Sequence, residues 1–491
     1  MSEDPEERPA LGAAEPAAPS PARWQPRSFL TILSALALLP WLALIVWPSS
    51  PATRLAMLVQ PERDLALVVG VSMDLHEAAA RAPAGRRRIY RLLGLEDAED
   101  LPQAIAWFEE LARESAHPGV DAHLATLEAE GGRLDALRRR LDTWAERDEP
   151  LPALADLLRA AYLPEAAAPA SALALGDEAG ELVSPGWFRD RLEIALAVRR
   201  GDDAAARAVT ARLAARSDVT LWRAQAAIGA QLLAVLLGAV ALAARVRRRP
   251  LLPVVGTAPI PPPWPGGLGG VVILRGAALG VVALTGLYVW DVMQHEHVLG
   301  AADVLMGGIM VLPVLALTYL RLFRPAGLGG LEGFGLAVVP GGARRLVPVI
   351  PVVIALVLVG EWVIGGVAGL AQASGHWAEW FDEDLVFGGR AAMATTLIGA
   401  IVLAPITEEL TFRGLVFVAL RRRFAWPAAG TLTALAFAAL HGYGVAGFLS
   451  VWWSGLVWSW AYERTHSLWP AIAGHAAANL FATLLVVGVL R

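Results

Sequence analysis

The run from Phe29 to Trp47 holds 19 residues without a charge, and eight further apolar stretches follow it, at about 226–244, 269–290, 304–323, 346–370, 391–410, 427–441, 446–462 and 468–490. A bilayer offers no water to the backbone, so a chain of this pattern satisfies its amides internally, as membrane-spanning helices. Composition agrees. Of the 491 residues 56% are hydrophobic, and mean hydropathy is +0.50, too apolar for an ordinary soluble protein. The expected fold class is all-α: a polytopic α-helical membrane protein of about nine spans, with an extracytoplasmic all-α domain inserted between spans one and two.

That insertion follows from the placement of charge. Residues 250–491 carry 12 of the 41 basic and 12 of the 46 acidic side chains, which leaves 29 and 34 for the first 249 residues. Residues 1–27 are Pro-, Ala- and Glu-rich without apolar periodicity and read as a disordered cytoplasmic tail. Residues 28–47 read as a retained anchor, because the run is longer than a signal-peptide core and Pro48-Ser-Ser-Pro51 is a poor cleavage site. In 48–222 apolar residues recur at helical spacing among charges, as at Leu101, Ile105, Phe108 and Leu111, and strand-like alternation is scarce. Trp187–Arg200 and Ala204–Arg216, around Gly201-Asp202-Asp203, read as a helical hairpin resembling the tetratricopeptide type, without the repeat period an array needs.

Arginines set the orientation. Arg23 and Arg27 precede the first span, and Arg245, Arg247, Arg248 and Arg249 follow the second, so residues 48–222 are expected outside the cytoplasm. After the basic-ended span at 223–249 come a Pro/Gly-rich linker at 250–268, the first spans of a membrane bundle at 269–390 and a C-terminal core at 391–491. Arg321, Arg324, Arg344 and Arg345 share one loop and Arg421, Arg422 and Arg423 another, while the acidic loop Glu379–Asp384 falls on the opposite side. The N-terminus is then inside and the C-terminus outside. Pro405 is the irregular point, where the 391–420 stretch is expected to kink or turn back. Every basic side chain is Arg rather than Lys, which with the Ala, Gly and Pro excess is associated with GC-rich bacterial genomes; the expected location is a bacterial inner membrane. With no cysteine, disulfides, thiolate zinc sites, cysteine proteases and lipidated cysteines are excluded. A net charge of −5 without a basic patch gives no footprint for nucleic acid.

A charge in lipid costs about 2.5–3.5 kcal/mol on insertion scales, so ionisable groups inside apolar runs are the informative ones. Three such groups lie near the C-terminus. In Glu408-Glu409-Leu-Thr-Phe-Arg413, a helix puts Glu409 and Arg413 one turn apart on one face and turns Glu408 about 100° away. The alternative is an interfacial helix end with a solvated salt bridge. In Phe437-Ala-Ala-Leu-His441 the aromatic ring and the imidazole share a face, as an interfacial histidine also would. In His475-Ala-Ala-Ala-Asn479 the two polar groups share a face, where interhelical bonding is the alternative. Gathered at one point, the three supply a carboxylate base, imidazoles and an amide donor, the parts needed to activate water and stabilise an oxyanion.

In that order on successive hydrophobic segments, Glu-Glu-x-x-x-Arg, Phe-x-x-x-His and His-x-x-x-Asn resemble the CPBP intramembrane metalloproteases, also called the type II CAAX prenyl endopeptidase or Abi family. The flanking Ala404-Pro405, Arg413-Gly414 and Ser467-Leu468-Trp469-Pro470 fit as well, and the resemblance covers about 391–487. It implies an endopeptidase that cleaves a membrane-associated protein or peptide. Glu408 is then the general base, His441 helps to hold the water or a metal, His475 and Asn479 stabilise the oxyanion, and Glu409 and Arg413 form a supporting pair. It also implies a divalent metal, with zinc suspected and Glu408, His441 and His475 as tentative ligands; a metal-free, glutamate-driven water is the alternative, since no His-Glu-x-x-His occurs. A prenylated-cysteine substrate is not expected of a bacterial chain. The expected partners are a membrane-associated protein or peptide substrate, the lipid bilayer and an envelope protein bound by 48–222.

Other polar features have plainer readings. His295-Glu296-His297 is a wet loop, with metal binding the minor alternative. Arg275 and Glu361 pair, snorkel or line a cavity, and Trp452, Trp453, Trp458, Trp460 and Trp469 are belt and packing residues. Ser454-Gly455 only weakly echoes a serine nucleophile. Two non-protease readings compete: a membrane scaffold that uses the same pocket to bind a peptide or lipidated partner, and a transporter built on Arg275 and Glu361.

Overall fold

The computed structural model describes residues 27–46, 51–93, 95, 100–147, 150–166, 181–246, 251–294, 303–371, 373 and 375–491. The expected tail up to residue 26 and His295-Glu296-His297 lie outside them. Among the described residues all regular elements are helical, and an isolated antiparallel bridge joins Gly256 to Val338.

The chain enters through α1 (Ser28–Val46) and then builds a layer of amphipathic helices: α2 (Pro61–Ala80), α3 (Asp100–Glu114), α4 (Pro118–Glu130), α5 (Leu134–Trp144), α6 (Leu151–Tyr162) and α7 (Trp187–Arg200). Their boundaries follow local chemistry. Pro61, Glu62 and Asp64 occupy the first turn of α2, where a missing N–H is harmless and acids meet the positive helix end. Gly201, at φ 69°, stops α7 in the left-handed conformation, and Asp202 accepts from the Ala205 amide at 2.9 Å to start the next helix. The apolar stripes close over Phe108, Leu124, Leu141, Leu158 and Phe188, all at most 1% exposed. Buried His123 belongs to this core: it donates from Nδ1 to the Gly119 carbonyl and accepts from the Ser184 amide, and burial pushes its pKa down to about 4.

The next helix, α8 (Asp203–Val246), is continuous for 44 residues, roughly 66 Å at the standard rise. The sequence divides it into a soluble hairpin arm and a separate span; nothing at residues 217–226 caps or breaks it, so one rod serves both. Its first half buries Leu213, Ser217 and Thr220 among the amphipathic helices, and farther along Gly238 is pressed so close to Pro351 and Ala355 that a Cβ there would lie 2.3 Å from the Ala355 Cβ. Its outward Leu232, Leu236 and Val240 stay 46–60% exposed, which suits lipid and not water.

The remainder is a bundle of α9 (Gly266–Gln294), α10 (Asp303–Thr318), α11 (Val349–Leu370), α12 (Arg390–Arg421), α13 (Trp426–Ala439), α14 (Val445–Thr465) and α15 (Trp469–Leu490). Each of the nine apolar stretches lies mainly on helix among the described residues. Among the described residues, five helices are long and apolar enough to cross a membrane: Asp203–Val246, Gly266–Leu287, Gly342–Leu370, Arg390–Arg421 and Trp469–Leu490. Arg275 and Glu361 do not pair with each other. Arg275 donates to the Arg27 carbonyl and, at 2.9 Å, to Thr31 Oγ1 on α1, while Glu361 accepts from Ser454 Oγ at 3.0 Å. Both hold helices together, and Ser454 is tied up in that bond.

Two connections are more than spacers. The stretch expected to be a Pro/Gly linker is packed: the Val255 and Gly256 amides donate to the Thr465 carbonyl, at 2.9 and 3.0 Å, and the Ala258 amide to that of His466 at 3.1 Å. The acidic loop after α11 docks on the amphipathic layer. Trp377 is fully buried in that layer's core, Phe381 and Val386 join it, His376 Nε2 lies 3.4 Å from Glu110, and Arg63 sits 3.7 Å over the Phe387 ring.

Asp64 lies at this junction, and its buried carboxyl shares space with Glu383. Burial, then the hydrogen bond and charge of Glu383, raise its pKa to about 7 against the opposing pull of Arg63. A carboxyl whose pKa rises on folding lends stability that is complete below its unfolded value of 3.8 and is lost as pH climbs through about 7. Asp64→Asn should therefore raise the thermal midpoint at pH 8 by about 2–4 °C and leave it unchanged at pH 4. Equal midpoints at pH 8 would contradict the assignment.

Candidate active site

The three polar motifs come from α12, the end of α13 and α15. α12 runs unbroken for 32 residues, so Pro405 does not turn the chain back. The proline cannot bond to the carbonyl four residues before it, and the helix takes this up by widening into a π-turn over Gly399–Leu403. A second π-turn covers Phe412–Phe417 and carries Arg413. π-Turns of this kind frequently mark functional sites.

Glu409 and Arg413 are fully buried, and Arg413 Nη1 donates to Glu409 Oε1 at 2.8 Å. His475 Nδ1 meets the same oxygen at 3.0 Å, and since a carboxylate only accepts, Nδ1 carries the proton. His475 Nε2 then faces Glu408, 3.8 Å from its Oε2. That oxygen is buried without a hydrogen-bond partner among the described residues. Glu408 itself keeps a 32% exposed side chain. One carboxylate is thus pinned between a guanidinium and an imidazole, while its sequence neighbour stays open.

His441 stands just beyond the end of α13. Its Nδ1 donates to the Phe437 carbonyl at 2.8 Å, which leaves Nε2 as the outward nitrogen. Phe437 organises the centre: its ring lies 4.6 Å from the His441 ring, 5.8 Å from that of His475 and 4.5 Å beneath the Arg413 guanidinium. Glu408, His475 and Arg413 all lie within electrostatic reach of His441. Asn479 is the outlier. Its amide donates to the Ala400 carbonyl in the first π-turn at 2.7 Å rather than to the other polar residues.

Two contributors escape the spacing argument. Trp458 stacks on His475 with ring centroids 4.3 Å apart and planes 14° from parallel, and also lies 5.1 Å from the Arg413 guanidinium. Gly455 makes room for that guanidinium, since a Cβ there would come within 2.7 Å of Arg413 Nη2. The only sequence trace of either is a Gly and a Trp at i and i+3 in a Trp-rich helix.

Two imidazoles and a carboxylate are a donor set suited to zinc. Among the described residues, however, no group of three or more His, Asp and Glu is placed to hold a metal ion.

No curated protein and no solved structure matches the chain significantly. A family model does: the one described as Type II CAAX prenyl endopeptidase Rce1-like, over residues 390–481. That interval begins with α12 and takes in Glu408, Glu409, Arg413, His441, His475 and Asn479. The match is confined to residues 390–481, so it is this C-terminal stretch, about a fifth of the chain, that is similar to the type II CAAX prenyl endopeptidases.

Proposed function

We propose that the chain is an intramembrane endopeptidase in which Glu408 activates the attacking water. The observation that carries this reading is the unpartnered, buried Oε2 of Glu408 facing His475 Nε2 across 3.8 Å. That gap is too wide for a direct hydrogen bond and leaves the carboxylate's lone pairs to a third molecule. Glu408 takes a proton from water as its oxygen bonds to the scissile carbonyl carbon. His475 and His441 present Nε2 to the oxyanion and donate to it as imidazolium ions, since Nδ1 of each ring is already a donor to Glu409 or the Phe437 carbonyl, and Glu408 returns the proton to the amine nitrogen as the C–N bond breaks. Glu409 and Arg413 hold His475 in the orientation this requires.

Nine crossings and an outer helical domain at 48–222 complete the arrangement. Each apolar stretch is mainly helical, and the amphipathic layer docks on the loop after α11, which the charge pattern places outside the cytoplasm. The bilayer position and this composition fit a membrane-associated protein substrate in a bacterial inner membrane.

The test is a comparison of membrane-protein termini in cells making the wild-type chain or Glu408→Ala. New N-termini that depend on Glu408 are expected; identical terminal inventories would remove the protease reading in favour of a binding scaffold. Asn479→Ala should lower turnover about 100-fold if its amide also serves the oxyanion. Losing the bond to Ala400 should cost only about 1 kcal/mol of stability. Unchanged turnover in the folded variant would restrict Asn479 to bracing the π-turn.

A further inference from the structure

His441 depends on a turn that its own helix does not hold. α13 ends at Ala439, Gly442 follows with φ 64°, and α14 begins at Val445. The left-handed residue reverses the chain and leaves carbonyls at the helix end in need of donors. The donor comes from 388 residues away. Arg54 Nη2 donates to the Gly442 carbonyl at 2.5 Å, and the same guanidinium lies 5.6 Å over the Tyr443 ring.

Arg54 is itself held from the outer layer. It sits on the short helix Pro51–Leu55, whose Leu55 is 3% exposed in the amphipathic core and which packs on Trp377–Glu379 of the docked loop. That loop also reaches the turn, since a Cβ on Gly444 would lie 2.8 Å from Glu379 Oε1. The Tyr443 ring is 5.7 Å from that of His441, and the charges of Arg54, Glu379 and Glu408 all act on Tyr443. The segment that carries His441 is thus fixed on its far side by the N-terminal domain.

We propose that Arg54 is a positioning residue for His441: contributed by the N-terminal helical layer, it clamps the 441–444 turn and sets where the outward imidazole nitrogen stands beside Glu408. The claim rests on the reading of Glu408 and His441 as one reactive centre. It gives the outer layer a part in assembling that centre, beyond any part in recruiting partners.

The experiment uses the full-length chain in liposomes of phosphatidylethanolamine and phosphatidylglycerol. Diethyl pyrocarbonate is the probe, and its rate of reaction with His441 is read by mass spectrometry. Where a Glu408-dependent cleavage has been found, kcat and KM are measured as well. Arg54→Ala should change the His441 rate about tenfold and lower kcat about 10- to 100-fold, the cost of a displaced reactive group, with KM within about twofold. Arg54→Lys, which keeps a donor, should restore most of both. If Arg54→Ala does not fold, Arg54→Gln carries the same comparison. A folded Arg54 variant with the wild-type His441 rate overturns the proposal, as does a loss that appears in KM alone or is untouched by Lys. Failure of Glu408→Gln to abolish cleavage would sink the functional reading separately, because the His441 rate needs no substrate.

Discussion

Glu408→Gln should abolish peptide-bond cleavage, lowering turnover by about 10²–10⁴-fold, the span associated with losing a positioned general base. Glutamine keeps the shape of the side chain and removes its ability to accept a proton. The substitution should not harm folding. The affected oxygen has no hydrogen-bond partner among the described residues, so no hydrogen bond is lost there, and replacing a charge near buried Glu409 relieves like-charge repulsion. Turnover and thermal midpoint measured on one preparation provide the check. A midpoint at or slightly above wild type with cleavage gone is the expected pair. Cleavage within tenfold of wild type would mean that some other group takes the proton.

The opposite pattern is expected at Arg413. Its guanidinium is fully buried, bonded to Glu409 and enclosed by the Phe437 and Trp458 rings. Arg413→Ala leaves a buried carboxylate without its countercharge and opens a cavity between two rings, a loss of about 3–5 kcal/mol from the first effect alone. The double variant Glu409→Gln, Arg413→Met removes both charges and fills most of the space, so it should be more stable than Arg413→Ala. Denaturation of the three chains in one detergent measures this. A double variant less stable than the single one would show that the two charges do not compensate each other. Both variants should be inactive, because Glu409 also orients His475.

What could be seen in the sequence was whatever repeats or sits close along the chain. Apolar runs identified the helices because lipid and helix geometry together leave few options. The i, i+4 spacing of Glu409 and Arg413 carried their pairing, and the order of the motifs carried the approach of Glu408 to His475. Contacts made across the fold left no such trace. No local pattern connects Arg54 with Gly442, places Trp377 in the core of the outer layer, or stacks Trp458 on His475. The segment at 250–268 looked like a spacer because Pro and Gly mark irregular backbone; irregular backbone is also what packs closely against another turn, and a helix already begins within it at Gly266. At Asn479 the donor was evident and its acceptor was not, since the Ala400 carbonyl is bonded to it within the π-turn that Pro405 accompanies.

The unbroken length of α8 has a consequence of its own. A 44-residue rod shared by the water-exposed layer and the apolar bundle transmits rotation as an axle does. Adding one residue near its middle would twist the two ends about 100° out of phase and push them about 1.5 Å apart. The outer helices could then not meet the α11 loop and the 441–444 turn at once. The residue count of α8 is therefore part of the architecture, acting as a gear setting that brings two distant surfaces into mesh.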